Sequence, residues 1–228
     1  MVMCMYQYAM GKIAENLKHK NAFFYVHNTS EADIIAYFNK EVDHRCKAEG
    51  VPAITPTTVD ENGNTLLFHM VSDSVTALWP VMVKMGYDPT HRNNRQESVL
   101  HVACSRALLN GKSMSSVVKF IDTVSSYSSW NDEDKNGQTP LFSLVKMYER
   151  WNDVNSSICS ASNFEGNTVA LIEKAISEGA NPHHRDHAGN TFVSTATADC
   201  LAQFQSAMEK EILEQHVSNN RASVVRKM

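Results

Sequence analysis

The chain has 228 residues, of which 43% are hydrophobic and 20% are charged, and its formal net charge at pH 7 is −4. This composition is too apolar for a disordered chain and is typical of a folded one. Because basic residues are not in excess, we expect neither a nucleic acid nor a membrane surface to be its partner.

The cysteine content indicates a reducing compartment. The five cysteines are an odd number, are widely spread and form no C-x-x-C pair, which argues against a disulfide framework. The N-terminus lacks the basic residues and the unbroken apolar core of a signal peptide, and no apolar run approaches the ~20 residues that span a bilayer. We therefore expect a cytoplasmic protein that is monomeric in isolation.

Residues 1–55 are predicted to form an N-terminal helical cap. Ser30 and Asp33 resemble a capping box, with Asp in place of the usual Glu. Ile34, Phe38 and Val42 follow at helical spacing. A helix beginning here is expected to cover the exposed face of the region that follows.

Four later segments share one pattern. They read DENGNTLLF from Asp60, NNRQESVLH from Asn93, DKNGQTPLF from Asp134 and DHAGNTFVS from Asp186. Successive starts are 33, 41 and 52 residues apart, so the second and third repeats exceed the first by 8 and 19 residues. Two further motifs, GYDP from Gly86 and GANP from Gly179, each precede the next start by 7 residues. The pattern therefore indicates internal repeats.

The pattern D-x-x-G-x-T-x-L, its period of 33 residues and the G-A-N turn resemble the ankyrin repeat. The resemblance implies an all-α solenoid of stacked helix-turn-helix units with short hairpin loops. It implies a repeat domain over residues 56–216, with repeats starting near 60, 93, 134 and 186. Asp199–Gln215 is expected to be the C-terminal capping helix, and residues 217–228 a flexible tail.

The repeated residue types have physical roles in this register. The glycine at the fourth position suits a turn that needs a positive φ. A hydroxyl at the sixth position is expected to cap a helix start, and the apolar eighth position to face the core. The hydroxyl residues are Thr65, Ser98, Thr139 and Thr191. The second helices of the repeats are predicted at Leu78–Lys84, Val117–Val124 and Val169–Ser177.

In the ankyrin family the hairpin tips and first helices contact partner proteins, so the resemblance implies partner-binding positions here. Both charge signs occur among them, which favours a protein with a mixed polar surface. The candidates are Glu61, Asn62, Asn64, Asp73, Asn94, Arg95, Glu97, Arg106, Lys135, Asn136, Gln138, Lys146, Met147, Trp151, His187 and Asn190.

The insertions depart from the family. The longer one lies between Thr139 and Gly179 and is expected to lengthen the link between two helices into a loop. Trp151, in this loop, and Trp130, in the shorter insertion, are candidate exposed anchors. The alternative is that each tryptophan packs against its own loop.

Two short motifs resemble ligand sites but favour structural interpretations. Gly111–Ser113 resembles the end of a phosphate loop, yet Arg106 stands where that motif needs glycine. Asp132–Gly137 resembles half of an EF-hand, yet Ser143 stands where the bidentate Glu belongs. A polar turn and a hairpin, respectively, are the expected structures.

The last residues considered as ligands or structural groups are histidines. His183, His184 and His187 have metal-ligand chemistry. Their register, however, predicts solvent-facing positions, His183 and His184 in a hairpin arm and His187 near its tip, so no metal or other cofactor is expected. His101 occupies the histidine position of the family motif and is predicted to be a hydrogen-bonded structural residue. His69 lies outside the register and receives no role.

These patterns predict a non-enzymatic interaction module that binds and modulates a partner protein, with no catalytic residues. Its decayed repeats resemble those of bacterial or viral effectors, which would place it in the cytosol of a host cell. A structural or adaptor subunit of a larger complex is one alternative. An enzyme with an unrecognised site in an inserted segment is another.

Overall fold

A computed structural model describes residues 6–17, 29–71, 78–106, 114–155 and 161–195, and every regular element in these ranges is helical. The predicted all-α class is therefore confirmed for these residues. The chain divides into two compact units, Met1–Ser129 and Trp130–Met228. The predicted helix Asp199–Gln215, the tail at 217–228 and the Gly111–Ser113 motif lie outside the described residues.

The first unit begins with two helices, α1 (residues 6–17) and α2 (Glu31–Glu49). The buried side chains of α1 recur every three or four residues, as expected for one face of a helix. They are Ala9, Met10, Ile13, Ala14 and Leu17. Asn16 Nδ2 donates a hydrogen bond to Glu41 Oε1 over 2.6 Å, which ties α1 to α2.

Both ends of α2 are capped by local residues. At the start, the Asp33 amide donates to Ser30 Oγ over 3.2 Å and the Ser30 hydroxyl donates to Asp33 Oδ2 over 2.7 Å, which confirms the predicted capping interaction. At the end, Gly50 adopts φ 63°, and Val51 N–H returns to the Cys46 carbonyl over 3.0 Å.

Helix α2 packs on α4 (Leu78–Lys84). The Phe38 and Tyr87 rings meet edge to face with centroids 5.8 Å apart. At the rim, Lys84 Nζ lies 2.5 Å from Glu31 Oε2. Burial, with a smaller contribution from nearby Cys46, raises the pKa of Tyr87 to about 12, so this phenol stays neutral at physiological pH.

The rest of the first unit contains α3 (Leu66–His69), α5 (Val99–Arg106) and α6 (Met114–Ser125). Helix α5 packs on both α3 and α6. Trp79 of α4 meets Phe120 of α6 edge to face at 6.0 Å. Cys104 is fully buried in α5, where burial raises the pKa of its thiol, and it is a core residue as predicted.

The second unit contains α7 (Pro140–Asn155), α8 (Ala161–Ser177) and a short 3-10 helix, η1 (Val193–Thr195). Pro140 opens α7, where its missing N–H costs nothing. The prediction of a long loop between Thr139 and Gly179 is wrong, because residues 148–155 and 161–166 are helical. The insertion lengthens the two helices, and only residues 156–160 between them lie outside the described ranges.

Four five-residue turns carry the repeated motif. They are turn 1 (Asp60–Asn64), turn 2 (Asn93–Glu97), turn 3 (Asp134–Gln138) and turn 4 (Asp186–Asn190). In each turn the side-chain Oδ1 of the first residue accepts the amides of the third and fifth residues over 2.8–3.0 Å. The first amide also donates to the fifth carbonyl over 2.9–3.2 Å, and the fourth amide to the first carbonyl over 2.8–3.0 Å. The motif therefore encodes one backbone geometry four times.

The fourth residue of every turn has a positive φ, between 59° and 83°. Three turns have the predicted glycine there, whereas turn 2 has Gln96, the single non-glycine residue with positive φ in the described ranges. A side chain in this left-handed region costs about 1–2 kcal/mol. The repeated hydrogen bonds hold Gln96 in this conformation.

Replacing Gln96 with glycine is expected to stabilise the first unit. The substitution removes the left-handed strain but adds freedom to the unfolded chain, so the net gain should be about 0.5–1 kcal/mol. Chemical denaturation of Gln96→Gly and of wild type measures it. Gln96→Ala, which keeps a Cβ, should show no such gain, and equal stabilisation by both variants would contradict the strain.

Candidate interaction surface

Turns 1 and 2 are joined inside the first unit by direct backbone contact. Asn94 N–H donates to the Asn62 carbonyl over 2.9 Å, and Asn94 Nδ2 donates to the Glu61 carbonyl over 3.0 Å. A Cβ added to Gly63 would lie 2.8 Å from Asn94 N, closer than real Cβ contacts allow. Glycine is therefore needed in turn 1 both for its φ and for the approach of the next turn.

A histidine two residues before turn 2 completes this junction. His91 Nε2 lies 2.8 Å from the Gly63 carbonyl, which can only accept, so Nε2 carries the hydrogen. The same ring meets Phe68 edge to face, with centroids 6.0 Å apart at 88°. One imidazole thus links the turn to the helix that follows it. The motif alone did not predict this residue.

Turns 3 and 4 repeat the arrangement inside the second unit. His187 N–H donates to the Asn136 carbonyl over 2.9 Å, and His184 Nε2 donates to the Gly137 carbonyl over 2.8 Å. The His184 ring meets Phe142 edge to face at 6.5 Å and 89°. Each unit therefore contains a pair of turns held by the same three kinds of contact.

Buried carboxylates head three of the turns. Burial alone would raise the pKa of Asp60, but hydrogen bonds from His69 and from Asn64 outweigh it and hold the pKa below its ordinary value of 3.8. His69 Nε2 lies 3.0 Å from Asp60 Oδ2. His69 lies outside the repeat register, so its role was not predicted from the sequence, and its spacing of nine residues from Asp60 was the one available signal. In turn 4, a hydrogen bond from Gln138 Nε2 (2.9 Å) lowers the pKa of Asp186.

The structure exposes most of the predicted tip residues, and it does so on each unit separately. In the first unit these are Glu61, Asn62, Asn94 and Arg95, with Arg106 exposed at the end of α5. In the second unit they are Lys135, Asn136, His187 and Asn190, with Lys146 exposed on α7.

Other candidates serve the fold. Asn64, Glu97 and Gln138 are only partly exposed, and each contacts the first residue of a turn. Glu97 also pairs with Arg95 over 2.8 Å, and Lys146 Nζ donates to Gln138 Oε1.

Met147 was expected on the surface of a helix, and that prediction is wrong because the structure buries its side chain fully. Asp73 lies outside the described residues. Trp151 belongs to α7, but its side chain lies outside what the structure describes.

Two alternatives were predicted for Trp130, and the first of them, an exposed anchor, is wrong. Its side chain is 4% exposed, and its Nε1 donates to Glu178 Oε2 over 2.8 Å. Neighbouring Asn131 donates to the Gly179 carbonyl over 2.9 Å and accepts the Asn181 amide over 2.8 Å. The shorter insertion therefore packs against the end of α8.

The histidine cluster does not form the solvent-facing group that its register predicted. His183 and His187 are exposed, whereas His184 is partly buried by its contacts with Gly137 and Phe142. Among the described residues, no group of three His, Cys, Asp or Glu side chains is arranged to hold a metal ion. Asp134 uses Oδ1 to accept two turn amides, which confirms the hairpin interpretation of the EF-hand-like segment.

The predicted hydroxyl caps have different outcomes. Thr191 Oγ1 accepts the Ser194 amide over 3.2 Å and so forms the predicted cap. The Ser98 hydroxyl instead donates to His101 Nδ1 over 2.8 Å. His101 is 1% exposed, so its predicted structural role is confirmed. The buried hydroxyls of Thr65 and Thr139 have no hydrogen-bond partner in the described part of the chain, so these two cap predictions are wrong.

Comparison with known proteins found no family model and no curated relative that matches this chain. Within the described ranges, no helix combines the length and the apolar character needed to cross a bilayer.

Substituting Gly63 by alanine tests the close approach of turns 1 and 2. The new Cβ meets the backbone of Asn94. The free energy of unfolding should therefore fall by more than in Gly50→Ala. At Gly50 φ is also positive (63°), but no atom lies within 4 Å of the added Cβ. We expect Gly63→Ala to cost about 1–3 kcal/mol more than Gly50→Ala in urea denaturation. Equal costs would show that φ strain alone explains the glycine.

Acid stability tests the role of Asp60. Because its folded pKa is lowered, its charge stabilises the fold above the ordinary carboxyl pKa, and this stabilisation is lost as the pH falls through the folded pKa. Asp60→Ala should cost about 1–3 kcal/mol near neutral pH. Asp60→Asn keeps Oδ1, as Asn93 does in turn 2, so it should cost less and show a weaker acid dependence. The free energy of unfolding is measured against pH for both proteins. The same acid dependence in wild type and in Asp60→Asn would contradict this role.

Proposed function

We propose that this chain is a non-enzymatic, ankyrin-type repeat protein that binds a partner protein through the exposed residues of its turns. The observation that carries the proposal is that different positions of each turn have different roles. The first and fourth residues set the backbone geometry, while the second residue faces solvent in all four turns. Apart from Asn94, whose side chain also donates to the Glu61 carbonyl, side chains at such positions can vary without altering the turn, which suits recognition.

The exposed second residues differ in chemistry although their backbones match. They are Glu61, Asn94, Lys135 and His187. Within each unit, the hydrogen bond between paired turns fixes the spacing of these side chains before a partner arrives. Rigid presentation lowers the entropy lost on binding and so favours affinity from few contacts.

The charges at the turns favour a partner with a mixed polar surface. The first unit presents Glu61 together with the Arg95–Glu97 ion pair, and the second presents Lys135. Complementary charges of both signs mainly set specificity and association rate. The proposal includes no catalytic step, because the carboxylates of Asp60, Asp134 and Asp186 are engaged by turn amides. The buried free thiols of Cys46 and Cys104 support a reducing compartment such as the cytoplasm.

A matched pair of variants tests this surface. The tip variant carries Glu61→Ala, Arg95→Ala and Lys135→Ala. A control variant carries Asp43→Ala, Lys40→Ala and Lys47→Ala on exposed positions of α2, so both lose one negative and two positive charges. Each immobilised protein is exposed to the same lysates, and bound proteins are quantified by mass spectrometry.

We expect proteins enriched by wild type to be retained by the control variant and to fall about tenfold on the tip variant, which corresponds to about 1.4 kcal/mol. Circular dichroism of the three proteins checks that the fold is intact. Equal retention by the tip variant, or equal loss on the control, would overturn the proposed surface.

A further inference from the structure

Two turns contain the same reactive dipeptide at the same place. Asn62–Gly63 and Asn136–Gly137 occupy the third and fourth positions of turns 1 and 3. Both asparagines are exposed, and both glycines have a positive φ, 75° and 74°. A glycine that follows asparagine leaves its backbone nitrogen sterically open, because it has no Cβ.

We propose that Asn62 and Asn136 are deamidation sites in the folded protein. The backbone nitrogen of the following glycine attacks the asparagine Cγ, a new N–Cγ bond closes a succinimide ring, and the side-chain nitrogen leaves as ammonia. Water then adds to one of the two ring carbonyls. Opening at Cγ gives aspartate, and opening at the main-chain carbonyl gives isoaspartate, so the net change is gain of water and loss of ammonia.

The turn controls access to the first step. Gly63 N–H donates to the Asp60 carbonyl over 3.0 Å, and Gly137 N–H donates to the Asp134 carbonyl over 2.9 Å. The attacking nitrogen must leave this bond, so reaction proceeds from a turn that has opened locally. When opening and closing are fast, the observed rate follows the population of the open turn.

The products change the surface where the asparagines lie. The carbonyls of Asn62 and Asn136 accept the amides of Asn94 and His187, each over 2.9 Å, and so join the paired turns. Isoaspartate routes the chain through the side chain and adds one methylene to the backbone, which displaces that acceptor. Either product also adds a negative charge, beside Glu61 in one unit and Lys135 in the other. Deamidation would thereby remodel an exposed tip, whether or not the tip binds a partner.

Peptide mapping of the full chain tests the sites. The folded protein is incubated in mildly alkaline buffer made with heavy-oxygen water, so that new aspartate and isoaspartate carry the label. We expect labelled products at Asn62 and Asn136, with isoaspartate detected by enzymatic methylation. Asn94 and Asn190 are exposed turn residues followed by Arg95 and Thr191, and they should remain unlabelled. Absence of label at both Asn–Gly sites, while the denatured chain reacts, would overturn the proposal.

Asp60→Ala tests the control by the turn. It removes the acceptor of two amides in turn 1 and leaves turn 3 unchanged. We expect deamidation at Asn62 to accelerate about tenfold, or about 1.4 kcal/mol in the opening equilibrium, while Asn136 in the same sample keeps its rate. Asp60→Asn should accelerate Asn62 less.

An unchanged rate at Asn62 in Asp60→Ala would contradict control by the turn. Should that variant fail to fold, wild type in denaturant replaces it. Both sites should then react faster than in the native protein, and equal native and denatured rates would overturn the control by the turns.

Discussion

The bond on which the repeated structure depends is the one between the first side chain of each turn and two backbone amides. A short side-chain carbonyl oxygen at this position satisfies the third and fifth amides together, and Asp60 and Asn93 both do so over 2.8–3.0 Å. All four turns therefore share a side-chain oxygen acceptor at the first position, but they do not share a negative charge there. Because the accepting side chain is buried, leaving the two amides without an acceptor would cost about 1–3 kcal/mol in total.

Pairing of turns places a second demand on the same residues. The fourth residue must tolerate a positive φ, and in turns 1 and 3 it must also admit the next turn. Glycine meets both demands at Gly63 and Gly137, whereas Gln96 meets only the first. Within each unit this asymmetry distinguishes the turn that receives a neighbour from the turn that docks on it.

The parts of the structure that follow from local chemistry could be predicted from sequence. The turn positions, the Ser30 cap of α2 and the core role of the apolar eighth position depend on neighbours within a few residues. His69, His91 and His184 act across turns or helices, and their spacing from the motif did not show which way each ring points. In the longer insertion, spacing alone could not distinguish a loop from two extended helices. Trp130 shows the same limit, since its partner Glu178 is 48 residues away.

The ninth residue of the motif shows how two interactions compete for one position. In turn 2, His101 accepts the Ser98 hydroxyl, so the sixth residue is satisfied inside its own repeat. In turns 1 and 3, phenylalanine takes that place and leaves the threonine hydroxyl without a partner in the described ranges. An unsatisfied hydroxyl costs about 1–3 kcal/mol, while a buried phenylalanine recovers about 1.5–3 kcal/mol and its edge contact with the next histidine about 0.5–1.5 kcal/mol. Phenylalanine is thus favoured where a turn must hold the one that follows within its unit, because the stabilisation it gives is shared between two repeats.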